Sequence, residues 1–378
     1  MAACHGLGPL FFKRLKQSDA RACVPADEWE RLRVAYLAAA GRNMHRYREL
    51  RPVLRRLRHS GIPVIVLKGA YLAEAVYGDV ALRPMGDVDL LVPRAELPRA
   101  QAILLDMGGV HQQTEDIESL CRKRHHLPPV VIRGVTIEIH WTIASPTAPM
   151  RIDAAGLLDR ARPATIAGVE VLALSPEDLL LHLCLHLGRD HRFKGLKSLC
   201  DIDETIRRYG SELDWAQVVR SAREWRAAKY VGLTLHLARR MLGAGVPDDV
   251  LERLLPGGLD QQVLETAMES VLTQVDYRPW VPFFDVPGVR SLGGMVRLTW
   301  KRVFLSRDEM TVKYPASRGA RHLGFYYVLR LRDGLRAFGA HALRRGRSRR
   351  SRGRGRRASL TSRLESGKPA RQAEAKQK

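Results

Sequence analysis

Two aspartates one residue apart lie in the segment RPMGDVDLLV, residues 83–92. The apolar residues around them predict a half-buried strand, on which side chains alternate between the two faces. Asp87 and Asp89 therefore share one face. Val88 and Leu90 pack inward. Neighbouring carboxylates repel each other unless a cation lies between them, so a divalent metal site is the first interpretation. The alternative is a strand entering from a turn, with Asp87 as a turn residue and Asp89 in solvent.

A third carboxylate lies in VTIEIHWTI, residues 135–143, where strict alternation places Glu138 and His140 on the polar face of a strand. If this strand lies beside the one that carries the aspartates, three carboxylates meet on one face of a sheet. Such a set of oxygen ligands is what two magnesium ions need. The alternative is a strand with one hydrated face. His140 is interpreted either as a partner of Glu138 or as a structural histidine.

The surrounding sequence predicts the elements that position these residues. A helical pattern over 25–60 precedes the β-branched run IPVIVLKG, a short helix and the aspartate strand, and Pro93 opens a further helix. From Ser175, a predicted helix cap, successive helical patterns follow one another. The predicted fold class is therefore α+β. The predicted regions are a helical lead-in (1–60), a catalytic α/β domain (61–175), a helical domain (176–338) and a disordered tail (339–378).

Composition excludes several classes of protein. The 378 residues, 45% of them apolar, suffice for roughly two ordinary domains. No apolar run reaches the roughly 18 residues that cross a bilayer, and the first residues do not form a convincing signal peptide. The five cysteines are scattered without a C-x-x-C pair, which argues against a disulfide framework or a zinc ribbon. We therefore expect a cytoplasmic protein with reduced thiols.

The net charge of +23 is concentrated near the end of the chain. Residues 341–378 carry 14 basic and two acidic residues, about half of the excess, and too few apolar residues to form a core. This basic tail predicts contact with RNA, DNA or another anionic surface. The alternative is a solvated extension that keeps the protein soluble, because charge alone does not identify a partner.

The run VLKGAYLAEAVYGDVALRPMGDVDLLV, residues 66–92, resembles the nucleotidyltransferase superfamily typified by DNA polymerase β. Within it the chain is similar to the bacterial family of uncharacterised nucleotidyltransferases. In that family an L-K-G turn, an arginine before the aspartate pair, an acidic-apolar-His-Trp strand and a helix like LLLHLCLHLGRDHRFKGLKSLCDIDE recur together. The resemblance spans roughly residues 25–335. It implies a polymerase β-like mixed sheet with helices, followed by an all-helical domain.

The resemblance implies a role for each matching residue. Asp87 and Asp89 would hold two Mg²⁺ ions, or Mn²⁺ in their place, and Glu138 would be the third ligand and help to deprotonate the attacking hydroxyl. Gly69 would belong to a phosphate-binding turn, where backbone N–H groups approach a triphosphate. The chain departs from the usual pattern at Ala70, where serine or glycine is common, and at Glu138, where aspartate is commoner. The implied nucleotide-binding residues are Lys68, Gly69, Ala70, Arg83, His186 and Lys197.

Four of these residues have alternative interpretations. Lys68 ends a strand and is by default solvated. Arg83 contacts phosphate or pairs with Asp87 or Asp89. His186 and Lys197 either cover the nucleotide or serve helix packing. The HLCLHLGRDH segment also spaces His182, His186 and Asp190 four residues apart, but Leu183 replaces the glutamate that a zinc-protease helix needs.

The implied function is a metal-dependent transfer of NMP from an NTP to a hydroxyl acceptor, with release of pyrophosphate. RNA, a protein side chain, a sugar and a small antibiotic-like molecule all fit as the acceptor, and the basic tail favours RNA. One alternative is a catalytically degenerate protein of the same fold that binds nucleotide or RNA. Another is association with anionic membranes through HLGFYYVLRLRDGLRAF, residues 322–338.

Overall fold

The computed structural model describes residues 5–112, 115–146, 148 and 150–273. All of these residues belong to one compact unit. The basic tail, the proposed membrane-binding segment and the end of the predicted helical domain lie outside the described residues. Within the described ranges, no helix combines the length and the apolar character needed to span a membrane.

Two helices form the start of the chain. Helix α1 spans Gly8–Lys16 and packs against the first half of α2, which spans Ala26–His59. The ring of Phe12 lies 4.7 Å from that of Trp29, measured between ring centroids. The last turns of α2 bury an apolar face because its leucines and valines recur at helical spacing. The helix predicted over 25–60 is thus confirmed.

A mixed six-stranded sheet follows, with strand order β3-β4-β2-β1-β6-β5. Strands β1 and β2 are antiparallel, whereas β2 and β4 are parallel. The outer hairpins β3–β4 and β5–β6 are antiparallel. The strands are β1 Ile65–Val66, β2 Asp87–Leu91, β3 Val130–Ile132, β4 Val135–His140, β5 Arg162–Ile166 and β6 Val169–Ala173.

Helices connect these strands and then extend beyond the sheet. Helix α3 continues through a π-helical turn at Leu72–Val76, and α7 continues through another at His186–Asp190. The side chain of Ser175 accepts a hydrogen bond from the backbone N–H of Asp178, so it caps α7 as predicted. The helices are α3 Lys68–Tyr71, α4 Leu97–Asp106, α5 Ile117–Lys123, α6 Ala154–Asp159, α7 Pro176–Leu185, α8 Leu196–Tyr209, α9 Trp215–Glu224, α10 Ala228–Leu242, α11 Asp248–Leu254 and α12 Gln261–Thr273.

The apolar core of the described residues is continuous from the end of α2 through the sheet and into the helices that follow. It contains the inward side chains of β2 and β4 together with the leucines of α7. All ten residues of α7 are buried, so this helix is covered on all sides. A mixed sheet with helices, followed by helices, confirms the predicted fold class. The predicted domain boundaries stay predictions.

Candidate active site

The buried carboxylate of Asp89 is held by a lysine and a histidine. Asp89 lies in the middle of β2 and is only 3% exposed. Its Oδ1 accepts hydrogen bonds from Nζ of Lys68 at 3.0 Å and from Nε2 of His140 at 2.9 Å. Burial disfavours the charged form, but these two partners outweigh burial and lower the pKa of Asp89 well below its usual value. Asp89 is therefore ionised at neutral pH.

Glu138 lies directly beside Asp89. Strands β2 and β4 run parallel in a register that places Asp89 opposite Glu138 and Asp87 opposite Thr136. Nε2 of His140 lies 3.5 Å from Oε2 of Glu138. The hydrogen bond from His140 lowers the pKa of Glu138 and outweighs the opposing effect of burial. The expected meeting of the two strands thus occurs in the structure.

Asp89, Glu138 and His140 form a compact group that could hold a metal ion. One potential ligand atom from each residue lies within 4.8 Å of the others. Asp87 shares the face of Asp89 but is exposed at the start of β2 and does not belong to this group. The structure therefore brings together two of the three predicted metal ligands and adds a histidine, with Asp87 at the solvent edge.

The predicted phosphate-binding turn is buried. Lys68 has a φ of 39°, a value that non-glycine residues rarely adopt, and this strained backbone accompanies the contact of its side chain with Asp89. Gly69 and Ala70 follow as buried residues of α3. The backbone oxygen of Ala70 accepts a hydrogen bond of 2.5 Å from the hydroxyl of Tyr47 on α2. The turn is thus held at Lys68 by Asp89 and at Ala70 by Tyr47.

Arg83 packs against Gly69 of this turn, and Lys197 contacts the loop that follows Arg83. Arg83 is buried, and its described ion pair is with Asp201 on α8, at 2.9 Å between Nη2 and Oδ2, not with either aspartate of β2. Nζ of Lys197 donates to the backbone oxygen of Pro84 at 3.1 Å. Burial lowers the pKa of Lys197, the charge of Arg83 lowers it further, and the charges of Asp201 and Asp87 oppose this change. Lys197 thus lies in the electrostatic field of Asp87.

Histidines surround the carboxylates. The ring of His140 lies 5.4 Å from that of His125 and 5.1 Å from that of His126, between centroids. Burial, together with the neighbouring His140 and His126, lowers the pKa of His125 to about 3, so this ring is neutral at pH 7. Sequence reasoning missed His125 and His126, because their position next to β4 depends on an isolated bridge between His126 and His140.

The histidines of α7 do not converge on a single point. Nε2 of His186 lies 2.9 Å from Nε2 of His191, whereas its Nδ1 lies 3.9 Å from Asp190. His182 is buried, and its Nδ1 has no hydrogen-bond partner among the residues that the structure describes. Burial lowers the pKa of His182, and the charge of Lys68 lowers it further. His182 therefore lies in the electrostatic field of the site, while His186 pairs with another histidine.

Residues 1–243 match the model of the family described as uncharacterised nucleotidyltransferases. This match covers well over half of the chain. The chain belongs to this family. The resemblance inferred from the sequence is therefore confirmed, and so is the predicted enzyme class, a nucleotidyltransferase.

Solved structures show weaker similarity than the family model. The antibiotic-resistance factor ANT(2″)-Ia, in a solution structure, is 17% identical over 51% of this chain and 97% of its own, with a TM-score of 0.36. A crystal structure of ANT(2″)-Ia in complex with adenylyl-2″-tobramycin is 16% identical over 48% of this chain and 98% of its own, with a TM-score of 0.35. A protein of Thermotoga maritima classed as a nucleotidyltransferase is 19% identical over 44% of this chain and 92% of its own, with a TM-score of 0.28. Scores this low carry no argument about the site. No curated protein matches the chain.

Proposed function

We propose that this nucleotidyltransferase moves NMP from an NTP to a hydroxyl acceptor in a reaction that depends on a divalent cation and releases pyrophosphate. One observation carries the proposal. Asp87, Asp89 and Glu138 lie on adjacent parallel strands, with Asp89 and Glu138 in register. RNA, a protein side chain and a small hydroxylated molecule are the acceptor classes that we propose to test.

The donors at this site fit a divalent cation. Oδ2 of Asp89 and Oε1 of Glu138 accept no hydrogen bond from any described residue, since Lys68 and His140 contact Oδ1 and Oε2. Carboxylate oxygens are the ligands that Mg²⁺ and Mn²⁺ prefer, and these two oxygens are not engaged by the side chains that hold the rest of the site. Asp87 would complete the set from the solvent edge. When bound, such ions neutralise charge that develops on the phosphate oxygens.

The reaction exchanges one phosphorus–oxygen bond for another. The acceptor hydroxyl oxygen bonds to the α-phosphorus, the bond to the β-phosphate oxygen breaks, and pyrophosphate leaves. The hydroxyl proton must leave as well. Because the pKa of Glu138 is lowered by His140, this carboxylate is a weak base. We therefore assign Glu138 to cation binding, and the proton passes to solvent.

The triphosphate would lie against the turn that contains Gly69 and Ala70. The hydroxyl of Tyr47 holds the backbone oxygen of Ala70, which limits movement of the turn. We assign Lys68 to holding Asp89 rather than to binding phosphate, because its ammonium group already contacts that carboxylate. Arg83 would supply a charged donor beside Gly69. We place His186 and Lys197 at the periphery, as contacts of the nucleotide from α7 and α8.

A second candidate function is a degenerate protein that binds nucleotide without transfer. The contact between Lys68 and Asp89 favours it, because an internal ammonium group occupies an oxygen that a catalytic cation would use. In that case NTP would bind through the turn with little dependence on a divalent cation. Cation dependence of binding and release of pyrophosphate distinguish the two functions.

The test is incubation of the purified protein with each α-labelled NTP, Mg²⁺ or Mn²⁺, and a cell extract. Pyrophosphate release and transfer of the label would be followed for the wild type and for Asp87→Asn. Transfer by the wild type alone supports the proposal, and the labelled product identifies the acceptor class. Tight NTP binding without pyrophosphate release would support the degenerate binding protein instead.

A further inference from the structure

Arg83 and Asp201 form a buried, two-pronged ion pair. Nε of Arg83 lies 3.3 Å from Oδ1 of Asp201, and Nη2 lies 2.9 Å from Oδ2. The two side chains are 9% and 2% exposed. Asp201 belongs to α8, whereas Arg83 belongs to the loop that leads into β2, so the pair joins two regions 118 residues apart. The planar fork of a guanidinium fixes its orientation when it binds a carboxylate in this way.

Other contacts hold the carboxylate and the loop in place. The hydroxyl of Tyr77 donates to Oδ1 of Asp201 at 2.9 Å. One helical turn before Asp201, Lys197 donates to the backbone oxygen of Pro84, the residue after Arg83. Helix α8 therefore fixes this loop at two adjacent points, through a side chain and through the backbone.

The remaining guanidinium nitrogen of Arg83 faces the turn. Nη1 makes no hydrogen bond with any described residue, since the described contacts of Arg83 with Asp201 use Nε and Nη2. A Cβ atom added at Gly69 would lie 2.7 Å from Nη1, so this nitrogen lies against the Cα of Gly69. Gly69 is thus needed to admit the arginine. A buried ion pair by itself is weak evidence for stability, because an apolar pair of similar volume often packs as well.

We propose that Asp201 is a positioning residue that holds Arg83 so that Nη1 donates to the triphosphate at the Gly69 turn. The inference rests on the proposed function, because it takes this turn as the place where the triphosphate binds. It makes nucleotide affinity depend on a carboxylate of α8, far from β2 in the sequence. In this proposal Arg83 contacts phosphate, as the family resemblance implied, and Asp201 determines the orientation of its guanidinium group.

The experiment measures equilibrium binding of each NTP and of the matching NMP to the full-length protein with Mg²⁺. The variants are Asp201→Asn and the double variant Arg83→Met, Asp201→Leu. Since a single substitution leaves one buried charge unpaired and lowers stability, the double variant removes both charges and restores the melting temperature. Asp178→Asn is the matched control, because it breaks another two-pronged pair, with Arg160, at 2.8 and 3.2 Å.

We expect Asp201→Asn and the double variant to weaken NTP binding on the order of tenfold or more, with NMP binding unchanged. Asp178→Asn is expected to lower the melting temperature and leave the NTP Kd unchanged. A folded double variant with the wild-type NTP Kd would overturn the inference and leave the ion pair a purely structural one. If the wild type binds NTP but releases no pyrophosphate, the proposed function fails and the Asp201 variants still decide the inference. If the wild type binds no NTP, both are overturned.

Discussion

Gly69 has no room for a side chain, although its backbone is helical. A Cβ atom built there lies 2.7 Å from Nη1 of Arg83 and 3.0 Å from Cβ of Met85. Neither neighbour can move freely, because Arg83 is bound to Asp201 and Met85 is buried. The substitution Gly69→Ala must therefore displace the arginine, the methionine or the turn itself.

The size of the effect follows from two opposing terms. Overpacking of this kind costs about 1–3 kcal/mol. Replacing a helical glycine by alanine stabilises the helix by about 0.5–1 kcal/mol. We expect a net loss of up to about 2.5 kcal/mol for Gly69→Ala. Gly41 in α2 is the matched control, because a Cβ there meets nothing within 4 Å, so that Gly41→Ala should gain about 0.5–1 kcal/mol.

The assay compares thermal melting and urea unfolding of the wild type and the two alanine variants. The two substitutions should shift the melting temperature in opposite directions, by roughly 1–2 °C per kcal/mol for a protein of this size. Equal stabilisation by Gly69→Ala and Gly41→Ala would refute the argument, because it would mean that Arg83 does not pack against the turn.

Four further predictions address the site and the core. Asp87→Asn should change the free energy of unfolding by less than about 0.5 kcal/mol, because Asp87 is exposed. Asp89→Asn should cost about 3 kcal/mol or more in urea unfolding, because it leaves the ammonium group of Lys68 without its buried partner. The pKa values of Asp89 and Glu138 are lowered in the folded protein, so both carboxylates add stability above pH about 4, and this stability is lost as the pH falls through the folded-state pKa values. The free energy of unfolding of Asp89→Asn should therefore depend less steeply on pH in acid than that of the wild type. Leu90→Ala should cost about 2–5 kcal/mol, whereas Leu37→Ala, at 52% exposure, should cost little in the same urea assay. Chelation of divalent cations should abolish pyrophosphate release, and added Mg²⁺ or Mn²⁺ should restore it.

The carboxylates of the site could be predicted from local pattern. Alternation along two apolar runs placed Asp87, Asp89 and Glu138 on polar faces. The parallel pairing of β2 and β4 then brought Asp89 opposite Glu138. What alternation could not show is the difference in burial between the two aspartates. Asp87 lies at the open end of β2, while Asp89 lies in its interior.

The partners of the site residues depend on contacts between distant segments. The pair of Arg83 with Asp201 joins residues 118 apart, and no spacing within either segment indicates it. Lys68 reaches Asp89 because its backbone adopts a positive φ, which sequence pattern does not predict for a lysine. Such contacts become visible only when the register of the strands and the packing of α8 are known.

Strands β3, β5 and β6 were not predicted from the sequence, because the turns of their hairpins lack the usual sequence signal. The β3–β4 hairpin turns at Arg133 and Gly134, with φ of 47° and 79°, and the β5–β6 hairpin turns at Ala167 and Gly168, with φ of 53° and 69°. Positive φ at both central residues is typical of the type I′ turn, for which Asn-Gly is the usual signal. Arg-Gly and Ala-Gly lack the first half of that signal, although the glycine and the alternation around it remain.

Pyrophosphate release by the wild type and by Asp87→Asn, with every NTP and with Mg²⁺ and Mn²⁺, tests the central claim most directly. Asp106→Asn is the control, because Asp106 is an exposed carboxylate whose ion pair within the described residues is with Arg56 on the surface. We predict release by the wild type and by the control, and none by Asp87→Asn in a protein that melts at the wild-type temperature. Equal release by all three proteins would contradict the assignment of these carboxylates to the reaction.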